Sequence, residues 1–261
     1  MLFRSLLILP LLFLAAATPA RVAATADMPT EAVAAPDALT SADPLESFNR
    51  AIFRFNEELD TWVLAPVAQG WDFVSPRPIQ RTIENFYDNL LFPIRFVNLL
   101  LQGNLDPAAL TLSRFCVNTT LGLGGLFDAA SALDLERHQA DFGQTLGIWG
   151  VPPGPYLVLP IWGPSNPRDT AGLFVDGYLG IATFFFDWPI LLGSVVTENL
   201  NQRSLLLRDV ENLKEASFDL YVAARDAYGQ QRTERVLGTE AADAARQQDL
   251  YYFDDFDEEE W

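Results

Sequence analysis

The sequence predicts a mainly α-helical fold. Large apolar residues recur at helical spacing along most of the chain, Asp-Pro pairs and glycines fall where helices start and stop, and strand patterns are sparse. With 261 residues, 49% of them hydrophobic, the chain is long enough to bury a substantial core as one large domain. The first helix is predicted to open at DPLE, with Asp43 as cap, Pro44 in the first turn and Glu46 reaching back in a capping box. Phe48, Ile52, Phe55, Leu59, Trp62 and Val63 then mark one helical face, ending near Leu64.

Pro66, Pro76 and Pro78 punctuate the next stretch. Ile79, Ile83, Phe86, Tyr87 and Leu90 mark a second helix broken at Pro93, a third runs from Ile94 to Gln102 and stops at Gly103, and Asp106-Pro107 opens a fourth that ends near Thr120. A short helical stretch is expected from Asp128, and Asp141 opens DFGQTLGIWG. Between positions 152 and 167 there are six prolines in sixteen residues, so this apolar stretch can be neither helix nor central strand. Residues 172–193 read as two short apolar helices meeting at Asp187-Trp188-Pro189, because Asp176, Asp187 and Pro189 argue against an ordinary membrane span. One or two charged helices close the domain between Ser194 and Arg235.

The N-terminus carries an export signal. Arg4 precedes an apolar run from Ser5 to Ala17, and Ala24-Thr25-Ala26 matches a cleavage pattern, with Ala20 as a second possible site. Residues 1–26 are assigned as signal peptide, 27–42 as a flexible leader, 43–238 as the folded domain and 239–261 as an acidic tail. Cys116 is the lone cysteine, so no intrachain disulfide forms, which fits a bacterial periplasm. On its helix it is expected to be a buried small hydrophobe.

Composition also excludes functions. A net charge of −18, with 35 acids against 17 bases, leaves no basic surface for nucleic acid. The single histidine, His138, and the absence of a G-x-S-x-G or H-E-x-x-H motif leave no readable catalytic or metal constellation, so neither a cofactor nor a metal is expected. Gly122, Gly124 and Gly125 in LGLGGLFDAAS invite a phosphate loop. However, G-x-G-x-x-G would need glycine where Phe127 stands, and the segment follows a helix, not a strand. What remains distinctive is the aromatic content, 12% of the chain, with Trp149, Trp162 and Trp188 beside interrupted apolar segments. Such rings suit either a membrane interface or an ordinary core.

Taken in order, DPLESFNRAIFRFNEELD, VNLLLQG, RFCVNTTLGLGGLFDAAS, DFGQTLGIWGVPPGPYLVLPIWGPSNPRD and SFDLYVAARDAYGQQR resemble the signature blocks of the VacJ/MlaA family, covering roughly residues 43–230. The resemblance implies a ring-like helical domain lying in the outer membrane, with a central amphipathic channel and Pro/Gly-rich loops. It implies non-enzymatic transport of phospholipid from the outer leaflet, with a trimeric porin and a soluble periplasmic lipid carrier as partners. It also implies a control segment on the first helix at Phe53, Phe55 and Asn56, and a gating hairpin at Gly122, Gly124, Gly125, Phe127, Asp128 and Ala129. Tyr156, Trp162 and Trp188 are the membrane-interface candidates. Many members carry a lipobox cysteine, whereas no cysteine stands near the cleavage site here. The chain is therefore expected to hold the membrane without a lipid anchor. That departure leaves open a soluble periplasmic lipid-binding or adaptor protein as the alternative, and a lipid hydrolase is the third reading.

Overall fold

The computed structural model describes residues 43–180 and 186–238. The predicted signal peptide, leader and acidic tail lie outside the described residues. The elements are α1 (Glu46–Leu59), a π-helical turn (Asp60–Leu64), α2 (Ala65–Val74), α3 (Arg77–Leu90), α4 (Phe92–Leu101) and α5 (Leu105–Thr120). After a 3-10 turn (Ser131–Leu133) come α6 (Phe142–Ile148), the strands β1 (Leu157–Leu159) and β2 (Gly163–Ser165), α7 (Pro167–Leu179), α8 (Trp188–Leu205), α9 (Leu207–Ala216) and α10 (Leu220–Leu237). The mainly helical prediction holds, and the proline-rich stretch makes only a two-stranded antiparallel hairpin, with Leu157 opposite Ser165.

Several boundaries differ for physical reasons. Pro66 does not end the first helix. Backbone angles stay helical through Leu64 and Ala65, and the Ala65 N–H bonds the Asp60 carbonyl, so the wider π turn absorbs the donor and the space that proline denies an α-helix. The capping box does not form. Glu46 pairs with Arg50 at 2.7 Å, while Asp43 accepts from the Leu45 N–H at 2.9 Å and from Asn49 and Tyr221. The second of the two apolar helices, α8, is 18 residues long, not short, and runs on into the charged region, after which the two helices α9 and α10 close the described chain. Residues 181–185, between α7 and the start of α8, lie outside the described residues.

The main departure concerns which side of each helix is packed. On α1 the buried residue is Asn49, whereas Phe48 and Phe55 stand about half exposed, and Trp62 on the π turn is 78% exposed. On α3 the buried residue is Gln80 and Ile79 is exposed. Among the described residues the buried set has eight hydrophobic members, four of them alanines, against fourteen polar or charged ones. The apolar cluster of Leu99, Ala108, Ala140 and Phe96 is small. A water-soluble fold sorts the other way.

Polar clamps take the place of a large core. Asn49 Oδ1 accepts from the Val158 N–H at 2.9 Å and Asn56 Oδ1 from the Ile161 N–H at 2.7 Å, so two amides seven residues apart on α1 dock the β-hairpin. Asp219, at the start of α10, is gripped by both terminal nitrogens of Arg50. Arg232 holds Asp141 at 2.6 Å and Asp169 at 2.7 Å, joining α10 to α6 and α7. Asn98 Nδ2 donates to Asp176 at 3.0 Å and Asn98 Oδ1 accepts from Thr145 at 2.8 Å, joining α4, α6 and α7. Burial pushes the Asp176 carboxyl up to about 6 despite donation from the Phe142 N–H and Asn98. Asn201 of α8 donates to the Gln80 carbonyl and accepts from Trp71, while Arg203 pairs with Asp60 of the π turn at 2.6 Å.

These joints close on themselves. α1 packs on β1, β2 on α10, α10 on α6, α6 on α4, α4 on α3, α3 on α8, α8 on α2, and α2 through the π turn on α1. The helices thus follow a circuit rather than surrounding one central core.

Candidate functional site

The glycine segment leaves α5 at Thr120 and turns back toward that helix. The Gly124 N–H bonds the Thr119 carbonyl at 2.9 Å, the Gly125 N–H the Asn118 carbonyl at 2.8 Å, and the Phe127 N–H the Gly122 carbonyl at 2.9 Å. Gly124 and Gly125 have φ of +75° and +91°, a region that L side chains rarely adopt. Gly122 has a different role. A Cβ there would stand 2.1 Å from the Phe127 carbonyl oxygen and 2.5 Å from that of Asn118, so it permits a close backbone approach. Leu121, Leu123, Leu126 and Phe127 project from the turn, each 39% exposed or more.

Below the exposed tip the turn is anchored on Asp128. This carboxylate accepts from Arg114 at 2.8 Å, Asn118 at 3.2 Å, the Ser131 hydroxyl at 2.5 Å and Arg137 at 3.1 Å. Arg114 also donates to the Leu135 carbonyl, and Asn118 Oδ1 accepts from the Ala130 N–H at 2.8 Å. Burial alone would push the Asp128 carboxyl up. The donors from Ser131 and Asn118 and the Arg114 charge outweigh it and hold the group well below the usual carboxylate range. Ala129 lies half-buried between these anchors. Arg137 continues the network to Asp88 at 3.5 Å, which Arg95 meets at 2.6 Å, linking the anchor to α3 and α4.

Two amides on α3 reach the turn itself. Asn89 donates to the Thr119 hydroxyl at 3.2 Å, and Asn85 lies 3.5 Å from the Leu126 carbonyl. Gly125 leaves room for Asn89, whose side-chain atoms would lie 2.6 to 2.8 Å from any Cβ at that position.

The first-helix segment belongs to another part of the circuit, where α1 meets the β-hairpin. The Phe53 ring meets Tyr221 edge-on at 5.6 Å, Phe55 is 51% exposed, and Asn56 bonds Leu159 and Ile161 across the end of β1. Ile161 has φ of +74°, so Asn56 fixes the hairpin bend where its backbone is strained. Replacing Asn56 by alanine orphans the part-buried Ile161 N–H and Leu159 carbonyl and is expected to cost about 1–2 kcal/mol, measured by denaturant unfolding. Asn56→Asp, which keeps the acceptor for Ile161 but sets a carboxylate oxygen against the Leu159 carbonyl, is expected to cost at least as much.

Of the interface candidates, Trp188 is 66% exposed. Tyr156 points inward instead, with its ring 6.0 Å from those of Tyr221 and Tyr228 and its hydroxyl buried, and Trp162 buries its indole nitrogen. Cys116 corrects an expectation: it is exposed, because α5 packs through Ala108, Thr111, Arg114 and Asn118 on its other side. Sequence reasoning missed Arg114, Asn118, Asn85 and Asn89. The usable signal was polar residues at helical spacing along helices whose apolar residues were assumed to face inward.

Among the described residues no cluster of His, Cys, Asp and Glu forms a metal site, and no helix is long and apolar enough to cross a membrane. The fold and site therefore define a helical protein with polar joints, an apolar exterior and a glycine turn latched beside them. The chain belongs to the MlaA lipoprotein family, whose family model matches residues 41–235. It is 37% identical over 193 residues to the intermembrane phospholipid transport system lipoprotein MlaA of Escherichia coli, covering 72% of this chain and 76% of that protein. It is 38% identical over 194 residues to the protein of that name in Haemophilus influenzae, with the same coverage of 72% and 76%. A solved structure described as the structural basis for maintenance of bacterial outer membrane lipid asymmetry matches with a TM-score of 0.67 at 37% identity, covering 75% of this chain and 99% of that one.

Proposed function

We propose that this chain carries out non-enzymatic intermembrane phospholipid transport, removing mislocalised phospholipid from the outer leaflet of the outer membrane and so maintaining lipid asymmetry. The observation that carries the reading is the inverted burial, amides and guanidiniums at the joints and aromatic rings outside, on a circuit of helices rather than around a core. Without water to compete, polar side chains become the natural joints between helices, and exposed apolar faces incur no hydration penalty. Drawing a phospholipid into water costs about 0.8 kcal/mol for every CH₂ exposed, a barrier that an amphipathic path through a ring removes.

In this reading the domain, residues 43–238, lies in the outer membrane with its periplasmic side open. Trp188, Trp62 and Phe73, the last 91% exposed on α2, meet lipid, while Tyr156 and Trp162 hold the β-hairpin. Membrane attachment in this reading rests on these apolar faces and on a trimeric porin. A soluble periplasmic carrier receives the lipid. Gly124, Gly125 and Phe127 form the moving tip of the gate, with Gly122, Asp128 and Ala129 as its fixed base. Phe53, Phe55 and Asn56 control the far side through the hairpin.

The test uses a bacterium lacking its own family member. Expression of this chain is expected to return outer-leaflet phospholipid, measured as lipid cleaved by phospholipase added to intact cells, to the parental level. An unchanged excess at normal expression overturns the reading. Complete release from membranes by carbonate favours the soluble adaptor, and lysophospholipid or free fatty acid made by the pure protein favours a hydrolase.

A further inference from the structure

An open cleft of roughly 380 Å³ lies between the start of α3 and the tip of the glycine turn, lined by Arg77, Pro78, Arg81, Thr82, Asn85 and Phe127. Its volume falls within the usual range of small-molecule sites, about 300–1,000 Å³. Two guanidiniums four residues apart on α3 stand on one wall, and the Phe127 ring, 55% exposed, stands on the other. Arg77 is partly committed: it donates to Gln80 at 3.3 Å and to the Ser204 and Leu205 carbonyls at 3.4 Å, and lies 3.5 Å from Asp72. The Arg81 side chain makes no hydrogen bond or ion pair among the described residues, and on Glu84, whose carboxyl burial pushes up, its charge is the smallest influence, behind those of Arg137 and Asp88. In a chain of net charge −18 this leaves a whole guanidinium fork facing an open, partly apolar cleft.

We propose that this cleft holds the phosphodiester of a phospholipid headgroup. The proposal rests on the phospholipid-transport reading above and adds a place on the protein where the lipid is recognised. Arg81 supplies a planar pair of donors to two phosphate oxygens, a geometry that favours phosphate over a point-like anion. Phe127 covers the glycerol and the first methylenes, which free phosphate lacks. A bound headgroup touches both α3 and the turn, so occupancy reinforces the latch that Asn85 and Asn89 already make.

The experiment uses the detergent-purified full chain and two probes, monomeric dihexanoylphosphatidylglycerol and inorganic phosphate, followed by phosphorus NMR line broadening. Arg81→Gln is expected to weaken lipid binding roughly tenfold, since a charged hydrogen-bond partner is lost. Arg81→Lys, which keeps the charge without the fork, is expected to fall between the two. Phe127→Ala is expected to weaken the lipid severalfold and leave phosphate unchanged. Arg81 is exposed and unpaired, so an unchanged thermal unfolding curve for both Arg81 variants is part of the expected result. Wild-type lipid affinity in Arg81→Gln overturns the proposal. Arg81-dependent phosphate binding with which the lipid does not compete overturns its lipid half. If the wild type restores lipid asymmetry in cells while the cleft variants bind normally, the cleft fails and the transport reading stands. If the wild type binds through Arg81 but restores nothing, the reverse holds.

Discussion

Asp128→Asn is expected to destabilise the protein by about 3–5 kcal/mol, the range for removing one partner of a buried ion pair. The substitution leaves Arg114, only 6% exposed, without its counter-charge, and puts an amide N–H where Asn118, Ser131 and two arginines now donate. Arg137→Gln, at the more exposed end of the same cluster, is expected to cost about 1 kcal/mol or less. Equilibrium unfolding of Asp128→Asn, of Arg114→Gln and of the two combined separates the terms. The double variant should be more stable than the two single costs predict, because each single change strands the other group. The folded-state pKa of Asp128 is depressed, so its contribution is fully present above the unfolded carboxylate value of about 3.9 and is lost as pH falls through the lower folded value. Acid unfolding of the wild type should therefore be steeper at low pH than that of Asp128→Asn. Equal slopes would mean that Asp128 does not anchor the turn.

The elements were largely legible in the sequence, because helix ends are local chemistry. Gly103 at φ of +76° and Asp141 accepting from the Gln144 N–H stand where turn and cap residues should, whereas α5 starts at Leu105, one residue ahead of the expected Asp106, and its cap position, Asn104, makes no side-chain cap bond. The faces were not legible. Periodicity places Phe48, Ile52, Phe55 and Leu59 together on α1, but it does not say whether that stripe is packed against the rest of the chain or left exposed. The answer lay with Asn49 and Asn56, whose seven-residue spacing marks an equally regular polar stripe. A polar stripe becomes the joint when its partners are backbone groups of a hairpin, as Tyr156, Val158, Leu159 and Ile161 supply here. Such partners lie about a hundred residues away, so no local rule finds them.

Much the same holds for the candidate gate. Three glycines within four positions mark a special backbone, but sequence alone cannot tell conformational need from close approach. The structure separates them: Gly124 and Gly125 need positive φ, and Gly122 needs space. Asp128 was legible as part of the segment, yet its anchors, Arg114 and Asn118, read as ordinary helix residues. The Asn118-Thr119-Thr120 triplet matches a glycosylation acceptor, whereas Asn118 is buried and bonded to both Asp128 and Ala130.

That separation makes the glycines a sharp test. Gly122→Ala is expected to cost about 3 kcal/mol or more, because the new methyl would meet two backbone carbonyls, which cannot swing aside as a side chain does. The loss should lower Tm by roughly 6–12 °C for a domain of this size. Gly124→Ala meets nothing within 4 Å, so only the left-handed backbone opposes it, at about 1–2 kcal/mol. Gly125→Ala adds a collision with the Asn89 side chain, which must rotate away and give up Thr119. Thermal unfolding should rank Gly122→Ala as the most damaging. Outer-leaflet phospholipid in cells should respond differently: at matched amounts of folded protein, Gly125→Ala, folded but unlatched, should disturb it more than Gly122→Ala does. Stability and phenotype falling in the same order across all three variants would make the segment a packed turn and remove its role as a gate.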